Sequence, residues 1–558
     1  MKKVAIVFLM LSLLSVGGHA RRRTAGKVVI DRPKLVLILV IDQFRADYLW
    51  RFSHLFGQKG FKRLLSSGAV FVNAHYPYSN TETAVGHASI ATGALPSSHG
   101  IIANKWYDRE AGEFRESVYD ATFAKEGIYP PVSPKRLSAS TLADQLRLSN
   151  NFKSRAYGIS LKDRSAILTA GNAGTAAFWF DTRTGNMISS KHYLDRLPQW
   201  VEDFNTRRLA DSYFGKLWER LLPEDAYSIS DEDDAPYERA WASNGKAVFP
   251  IRVAGRNNRL DQSYYEQLRG TPFGDEYLLE FVKTLFKEEK LGLGEHPDLL
   301  TVSFSSLDLC GHAAGPYSQE VQDMVLRLDR VVAELLDTVD KQVGLSNAVI
   351  AFTADHGVAP HPDYSKRYHL KGGRLQASEL VGLVERELAK RYGQGDYVLA
   401  FINAQIYLNT QLIADKGLNQ AEVEEFIGKT LLAVSGIAHY YTRSQLLSHS
   451  SLDSTPIGRR VQAGFHAKAS GDVLLVPEPF YLISESDEEK MGTDHGSPYH
   501  YDTHVPVILF GRGIKPGNYT AEASPTDIAP TLSYVLKVES PNCSVGRILS
   551  EALFSEQG

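Results

Sequence analysis

The chain has 558 residues, with Lys+Arg 61 against Asp+Glu 65 and a net charge of −4; at roughly 150 residues per domain, that length allows several domains or one large catalytic domain with insertions. No run of basic residues exceeds Arg21-Arg22-Arg23, which argues against a polyanion-binding surface and so against nucleic acid as a partner. Two cysteines cannot staple so long a chain, and with 17 histidines present any metal site must be built from imidazole and carboxylate.

Met1 to Ala20 reads MKKVAIVFLM LSLLSVGGHA: two lysines, an apolar stretch from Val4 to Leu14, then small residues. This resembles a secretory signal peptide cleaved after Ala20 and predicts export to the periplasm or the medium. The apolar run is shorter than the ~20 residues that a membrane span needs, and no later stretch is long and apolar enough either. Residues 21–558 are therefore expected to be soluble and are read as one large domain with insertions.

Along that domain, short β-branched and Leu-rich runs recur at Lys34–Ile41, Arg155–Leu161, Leu299–Ser305, Ala348–Thr353, Gly471–Val476 and Val505–Phe510. They are continuous, not alternating, as strands buried on both faces of a parallel sheet are. Between them lie helical patterns, the clearest from Glu320 to Asp340, with Val321, Met324, Val325, Leu328, Val332, Leu335 and Val339 on one face. The alternation predicts an α/β fold with a mostly parallel central sheet flanked by helices. Insertions are expected near 105–137, 178–271 and 358–470, where the pattern becomes turn-rich or mixed.

Ligands of such sheets bind outside the carboxyl ends of the strands, so residues just past each strand run are the candidates. Asp42 follows the first run directly; Asp308 and His312 follow the third, in Asp308-Leu309-Cys310-Gly311-His312; Asp355-His356-Gly357 follows the fourth; His495 stands in Gly492-Thr493-Asp494-His495-Gly496, ahead of the last. A single aspartate at a strand end usually caps a turn or helix. Three aspartates with three imidazoles on one sheet edge are different, because their repulsion and desolvation call for cations. Two divalent ions with three N/O ligands each would keep positions open for a nucleophile and a substrate oxygen.

The order Asp…Thr…Asp-x-x-x-His…Asp-His…His resembles that of the alkaline phosphatase superfamily, and in detail the bacterial phosphate-irrepressible alkaline phosphatases of the PafA type. The similarity runs from Val40-Ile41-Asp42-Gln43 to Pro525-Thr526-Asp527-Ile528 and includes Thr83-Ala84-Val85-Gly86-His87 and Ser160-Leu161-Lys162-Asp163-Arg164. The resemblance implies two Zn2+ ions, one held by Asp308, His312 and His495, the other by Asp42, Asp355 and His356 with the Thr83 oxygen as its reactive ligand. It further implies that Thr83 is the nucleophile and that Asn104, Lys162 and Arg164 contact phosphoryl oxygens.

On that reading the protein hydrolyses small-molecule phosphate monoesters to inorganic phosphate and alcohol through a phosphothreonine. The Lys162/Arg164 pair argues for monoesters, since a diester replaces the oxygen such cations would bind. The alternatives are a nucleotide pyrophosphatase/phosphodiesterase-like diesterase on the same fold and a non-catalytic phosphoester-binding protein. Cys543-Ser544-Val545-Gly546-Arg547 partly resembles a sulfatase motif but lacks its proline and lies at the wrong end of the chain. Cys310 lies between two candidate ligands, where spacing within one turn makes joint coordination awkward; whether it pairs with Cys543 is open from sequence.

Overall fold

The run LVLILVI forms strand β1 (Leu35–Ile41) at the middle of the central sheet of the computed structural model, which describes residues 32–124, 130–240, 248–448, 455–486 and 491–554. The described residues fall in one contact unit beginning at Arg32. The expected export segment lies outside them.

The sheet has nine strands. Besides β1 they are β2 (Ala69–Phe71), β3 (Ala156–Ser160), β4 (Ala176–Asp181), β5 (Asn186–Ile188), β6 (Asp298–Phe304) and β7 (Ala348–Thr353). Four further strands, β8 (Val398–Ile402), β9 (Gln405–Leu408), β10 (Ile437–Thr442) and β11 (Val473–Pro477), form a second sheet. The chain then returns to the first with β12 (Val507–Gly511) and β13 (Gly517–Tyr519), giving the order β13-β2-β12-β7-β1-β6-β3-β4-β5. The five strands from β7 to β4 are mutually parallel, while β12 and β5 run against their neighbours. Every residue of β1 is at most 2% exposed, because helices cover both faces and leave no room for alternating polar positions. Leu39→Ala, in the middle of that strand, removes buried methyl groups and costs about 2–5 kcal/mol.

Helix α1 (Thr83–Thr92) is buried along its whole length and stops at Gly93, whose φ of 66° is left-handed. Helix α2 (Asp163–Ala170) follows β3, and α3 (Pro272–Glu289) precedes β6. Two helices follow β6: α4 (Ser306–Ala314) and the long α5 (Gln319–Gln342). The Ser318 hydroxyl accepts from the Val321 N–H at 3.1 Å and starts α5. Its apolar stripe, Val321, Val325, Leu328, Val332, Leu335 and Val339, packs with Phe281, Val282 and Leu285 of α3 in the largest core cluster.

The run near Val398 to Leu408, read from sequence as one strand, is a hairpin: Asn403 and Ala404 both have positive φ (52° and 57°) and reverse the chain between β8 and β9. The run near Gly471–Val476 becomes β11 and joins this antiparallel second sheet, of order β8-β9-β11-β10, not the central one. Helices α6 (Ala377–Tyr392) and α7 (Gln420–Leu432) cover it with Leu380, Val384, Leu388, Val423, Ile427 and Leu431. A one-turn helix, α8 (His500–Thr503), leads towards β12, and α9 (Ile528–Leu536) closes the opposite face of the central sheet through Ile528, Leu532 and Leu536.

Candidate active site

Three adjacent parallel strands deliver the three aspartates. Strand β1 pairs with β6 (Ile41 opposite Phe304) and with β7 (Val40 opposite Thr353), so Asp42, Asp308 and Asp355 leave the same sheet edge. The Asp42 N–H donates to the Phe304 carbonyl at 2.9 Å, holding the first turn beyond β1. Asp308 and His312 lie one turn apart on α4, and His495 comes from the segment before α8, tied down where the Thr493 N–H donates to the His312 carbonyl at 2.9 Å.

These residues gather into two trios, Asp308/His312/His495 and Asp42/Asp355/His356, each with its ligand atoms within 4.8 Å of one another. The trios abut: the His356 and His495 rings stack with centroids 3.7 Å apart. In all three imidazoles Nδ1 faces a backbone carbonyl, at 2.9 Å for His312 to Thr493, 2.9 Å for His356 to Gly357 and 2.7 Å for His495 to Thr81. A carbonyl only accepts, so each Nδ1 carries a hydrogen, and in the neutral ring each Nε2 presents a lone pair. Those lone pairs meet carboxylate oxygens, His312 Nε2 at 3.2 Å from Asp308 Oδ1 and His356 Nε2 at 3.4 Å from Asp42 Oδ1. Acceptor facing acceptor is repulsive unless a proton or a metal cation lies between them. Asp42 Oδ1 is buried with no hydrogen-bond partner, and Oδ2 of Asp42 and of Asp355 meet only Lys162 and His87, so the donor set fits divalent metal ions.

Electrostatics carry the same message. Burial, then the charges of Asp308 and Asp355, push the Asp42 carboxyl well up. Burial also works against Asp308, but Lys162 and the two nearby histidines outweigh it and hold that carboxyl well down. His312 is opposed by burial yet raised to about 9 by Asp308 and Asp494, whereas burial and neighbouring imidazoles hold His495 well down.

Thr83 opens α1, where free N–H groups and the helix dipole favour an anion. Its Oγ1 lies 3.5 Å from His356 Nε2 and accepts from Lys162 Nζ at 3.3 Å. The Lys162 ammonium also contacts Asp308 Oδ2 at 2.6 Å and Asp42 Oδ2 at 2.7 Å, so it stands between both trios and the hydroxyl. Asn104 is fixed on both sides: its Oδ1 accepts from the Ala84 N–H at 2.9 Å and its own N–H donates to Glu82 at 2.7 Å. With Oδ1 engaged, the amide NH2 is left to donate into the site. Arg164, the second residue of α2, keeps its guanidinium 3.9 Å from Asp163 and its Nε buried without a hydrogen-bond partner.

Sequence reasoning missed the residues that support these. Gln43, at a φ of 65°, donates from Nε2 to Asp308 Oδ1 at 2.7 Å and from its N–H to Asp355 Oδ1 at 3.1 Å, bracing both trios. His87 Nδ1 lies 2.8 Å from the Thr83 carbonyl and 3.2 Å from Asp355 Oδ2, and its Nε2 lies 2.8 Å from Ser303 Oγ. Gly86 allows α1 to approach the strand end, since a Cβ there would fall 2.2 Å from the Asp355 carbonyl oxygen. Their only sequence signal is position, beside a ligand or within the Thr83 motif. Burial pushes Glu82 up to about 8, against the Asn104 N–H, with Asp494 and Glu485 adding to it. Cys310 is buried in the apolar core on the far side of α4 from the ligands, and both it and Cys543 are free thiols.

A cavity of about 520 Å3 opens beside the site, lined by Glu82, Asn104, His312 and His495 on one side and by Ile402, Leu474 and Tyr481 on the other. The second sheet therefore walls one side of the cavity beside the two trios.

Residues 36–498 match the sequence model of the type I phosphodiesterase / nucleotide pyrophosphatase family. Over 98% of its length the chain is 35% identical to 98% of alkaline phosphatase PafA of Elizabethkingia meningoseptica. It is 34% identical over 99% of its length to alkaline phosphatase PhoV of Synechococcus elongatus, covering 100% of that protein. A protein of Myroides odoratus named calcium-transporting ATPase is 35% identical over 94% of the chain and 95% of its own. The crystal structure of PafA superposes with a TM-score of 0.87, covering 94% of this chain and 99% of that one. The chain belongs to the type I phosphodiesterase / nucleotide pyrophosphatase family and, within the alkaline phosphatase superfamily, to the PafA type. No helix among the described residues is long and apolar enough to cross a membrane.

Proposed function

We propose that the protein is an exported, zinc-dependent phosphomonoesterase in which Thr83 is the nucleophile. The observation that carries this reading is the Lys162 ammonium, 3.3 Å from Thr83 Oγ1 and anchored by Asp42 and Asp308, a cation that would meet the additional oxygen of a monoester attacked by Thr83. Two zinc ions in the Asp308/His312/His495 and Asp42/Asp355/His356 trios would supply Lewis acidity, favouring the ionised nucleophile and offsetting charge on the leaving oxygen. Zinc is favoured over magnesium or calcium by the three imidazoles.

In the first step Thr83 Oγ1 loses its proton and attacks phosphorus in line; the bond to the ester oxygen breaks and the leaving group departs as alcohol once protonated. Water then attacks the phosphothreonine, restoring the Thr83 hydroxyl and releasing inorganic phosphate, with retention at phosphorus. The Asn104 amide, the Lys162 ammonium and the first turn of α1 stabilise the equatorial oxygens, where charge is spread in the transition state. Arg164 joins them by reorienting its guanidinium away from Asp163. The cavity walled by Ile402, Leu474 and Tyr481 receives the alcohol portion.

Export is supported by the charged, apolar and small segments of residues 1–20, and the three insertions are read as elaborations of one catalytic domain. The test compares hydrolysis of an aryl phosphate with that of its methyl ester on one preparation. The monoester should be the faster substrate, and Thr83→Ala should abolish turnover. The second reading, a diesterase, is favoured by the family match over residues 36–498, and a faster methyl ester would establish it.

A further inference from the structure

Outside the active site, three histidines from two distant stretches of chain converge. His75 follows β2; His500 and His504 lie one turn apart, at the start of α8 and just past its end. The segments are joined by an antiparallel bridge between His75 and His504, with the Tyr76 N–H donating to the Thr503 carbonyl at 3.0 Å. The His75 and His504 rings stack with centroids 4.6 Å apart, and His500 meets both edge-on or tilted at 5.1 and 4.5 Å. One ring nitrogen of each lies within 4.8 Å of the other two.

We propose that His75, His500 and His504 form a third metal site, separate from the two catalytic trios, that takes a borderline divalent transition ion such as zinc, nickel or copper. The ligand atoms are all imidazole nitrogens, which suit those ions and not magnesium or calcium. His504 Nε2 lies 3.2 Å from the Val72 carbonyl, so that nitrogen carries its hydrogen and Nδ1 keeps its lone pair. His75 Nδ1 lies 3.3 Å from the Thr503 hydroxyl, an outer contact that fixes its ring. A tetrahedral zinc with bonds of about 2.0–2.1 Å needs nitrogens about 3.3 Å apart, within reach of small ring rotations from this arrangement. His75 and His504 are half-buried and His500 is exposed, so the site opens to water and its ion would exchange.

The charges around the cluster are Arg45, Arg460 and the opposing carboxylate of Asp47. Three neutral ligands beside two arginines predict a weaker site than either catalytic trio, one filled only when free metal is abundant.

The test is metal analysis of the zinc-loaded enzyme, full chain, after equilibration with excess zinc and rapid gel filtration, for wild type, a His500→Gln/His504→Gln variant and a His75→Gln variant. The two variants alter different segments, so unfolding of one turn cannot mimic the result. Wild type should carry about one zinc per chain more than either variant, while aryl phosphate turnover stays within two-fold in all three. Copper added to the zinc-loaded wild type should give an electron paramagnetic resonance signal split by nitrogen nuclei, absent from both variants. Equal zinc content in wild type and either variant, or the same copper signal in all three, would overturn the proposal.

Discussion

The Asn104 side-chain oxygen accepts a hydrogen bond from the Ala84 backbone N–H at 2.9 Å, so the residue after Thr83 locks the amide proposed to face the substrate. The free NH2 group is thereby aimed without a mobile linker. Asn104→Asp keeps the acceptor and loses the donor, while Asn104→Ala loses both. Each should lower kcat/KM for an aryl phosphate by about 10²–10³-fold, the usual cost of one aimed donor. An Asp variant with wild-type rates would show that orientation of the loop, not donation, is what matters.

Lys162 bridges Asp42, Asp308 and Thr83, and Arg164 lies two residues on. A Lys162→Ala/Arg164→Ala variant should lose far more monoesterase than diesterase activity, because a diester lacks the oxygen they would bind. Parallel loss of both activities would assign the pair to metal-site integrity instead. Measuring both substrates on the same metal-loaded sample separates the outcomes.

His87 holds Thr83 through its carbonyl and Asp355 through Oδ2. Its replacement by alanine should weaken metal retention about 10–100-fold, as loss of an outer partner of a ligand does. Zinc release to a chromophoric chelator measures this directly. Restoration of turnover by excess zinc would confirm His87 as a positioning residue.

Asp275 sits at the start of α3, where burial pushes its carboxyl up to about 7 even though Ser306 hydrogen-bonds to it. Between the unfolded carboxyl value of about 3.9 and about 7, the folded chain keeps a proton that the unfolded chain has lost. This contribution to stability is complete below the lower value and vanishes as pH rises through the upper one, an effect on the order of a few kcal/mol. Urea midpoints should therefore fall between pH 5 and pH 8 by more in wild type than in Asp275→Asn. Equal falls would show that Asp275 is ionised throughout.

The gathering of the two trios was readable from sequence because three doubly buried strands announce their own ends, and each end carries an acid. The supporting shell was not, since Gln43 and His87 owe their roles to contacts between segments hundreds of residues apart. The second sheet was half-legible: the reversal at Asn403-Ala404 uses two residues of positive φ without a glycine, so no turn signal separates β8 from β9. The tri-histidine cluster was hidden because β2 has only three residues and α8 only four, too short for periodicity to show.

Asp42, Asp308 and Asp355 follow neighbouring strands in fixed register, whose hydrogen-bonded spacing is about 4.8 Å from strand to strand. Paired catalytic ions work at about 3.5–4 Å, close to that spacing, so ions held by the two trios would lie about one strand apart. The chemistry and the choice of substrate are thus written on different parts of the chain. On the proposed reading, the wall formed by β8, β9 and β11 could be exchanged or reshaped to admit a new alcohol while the strand ends that carry the two trios stay in place.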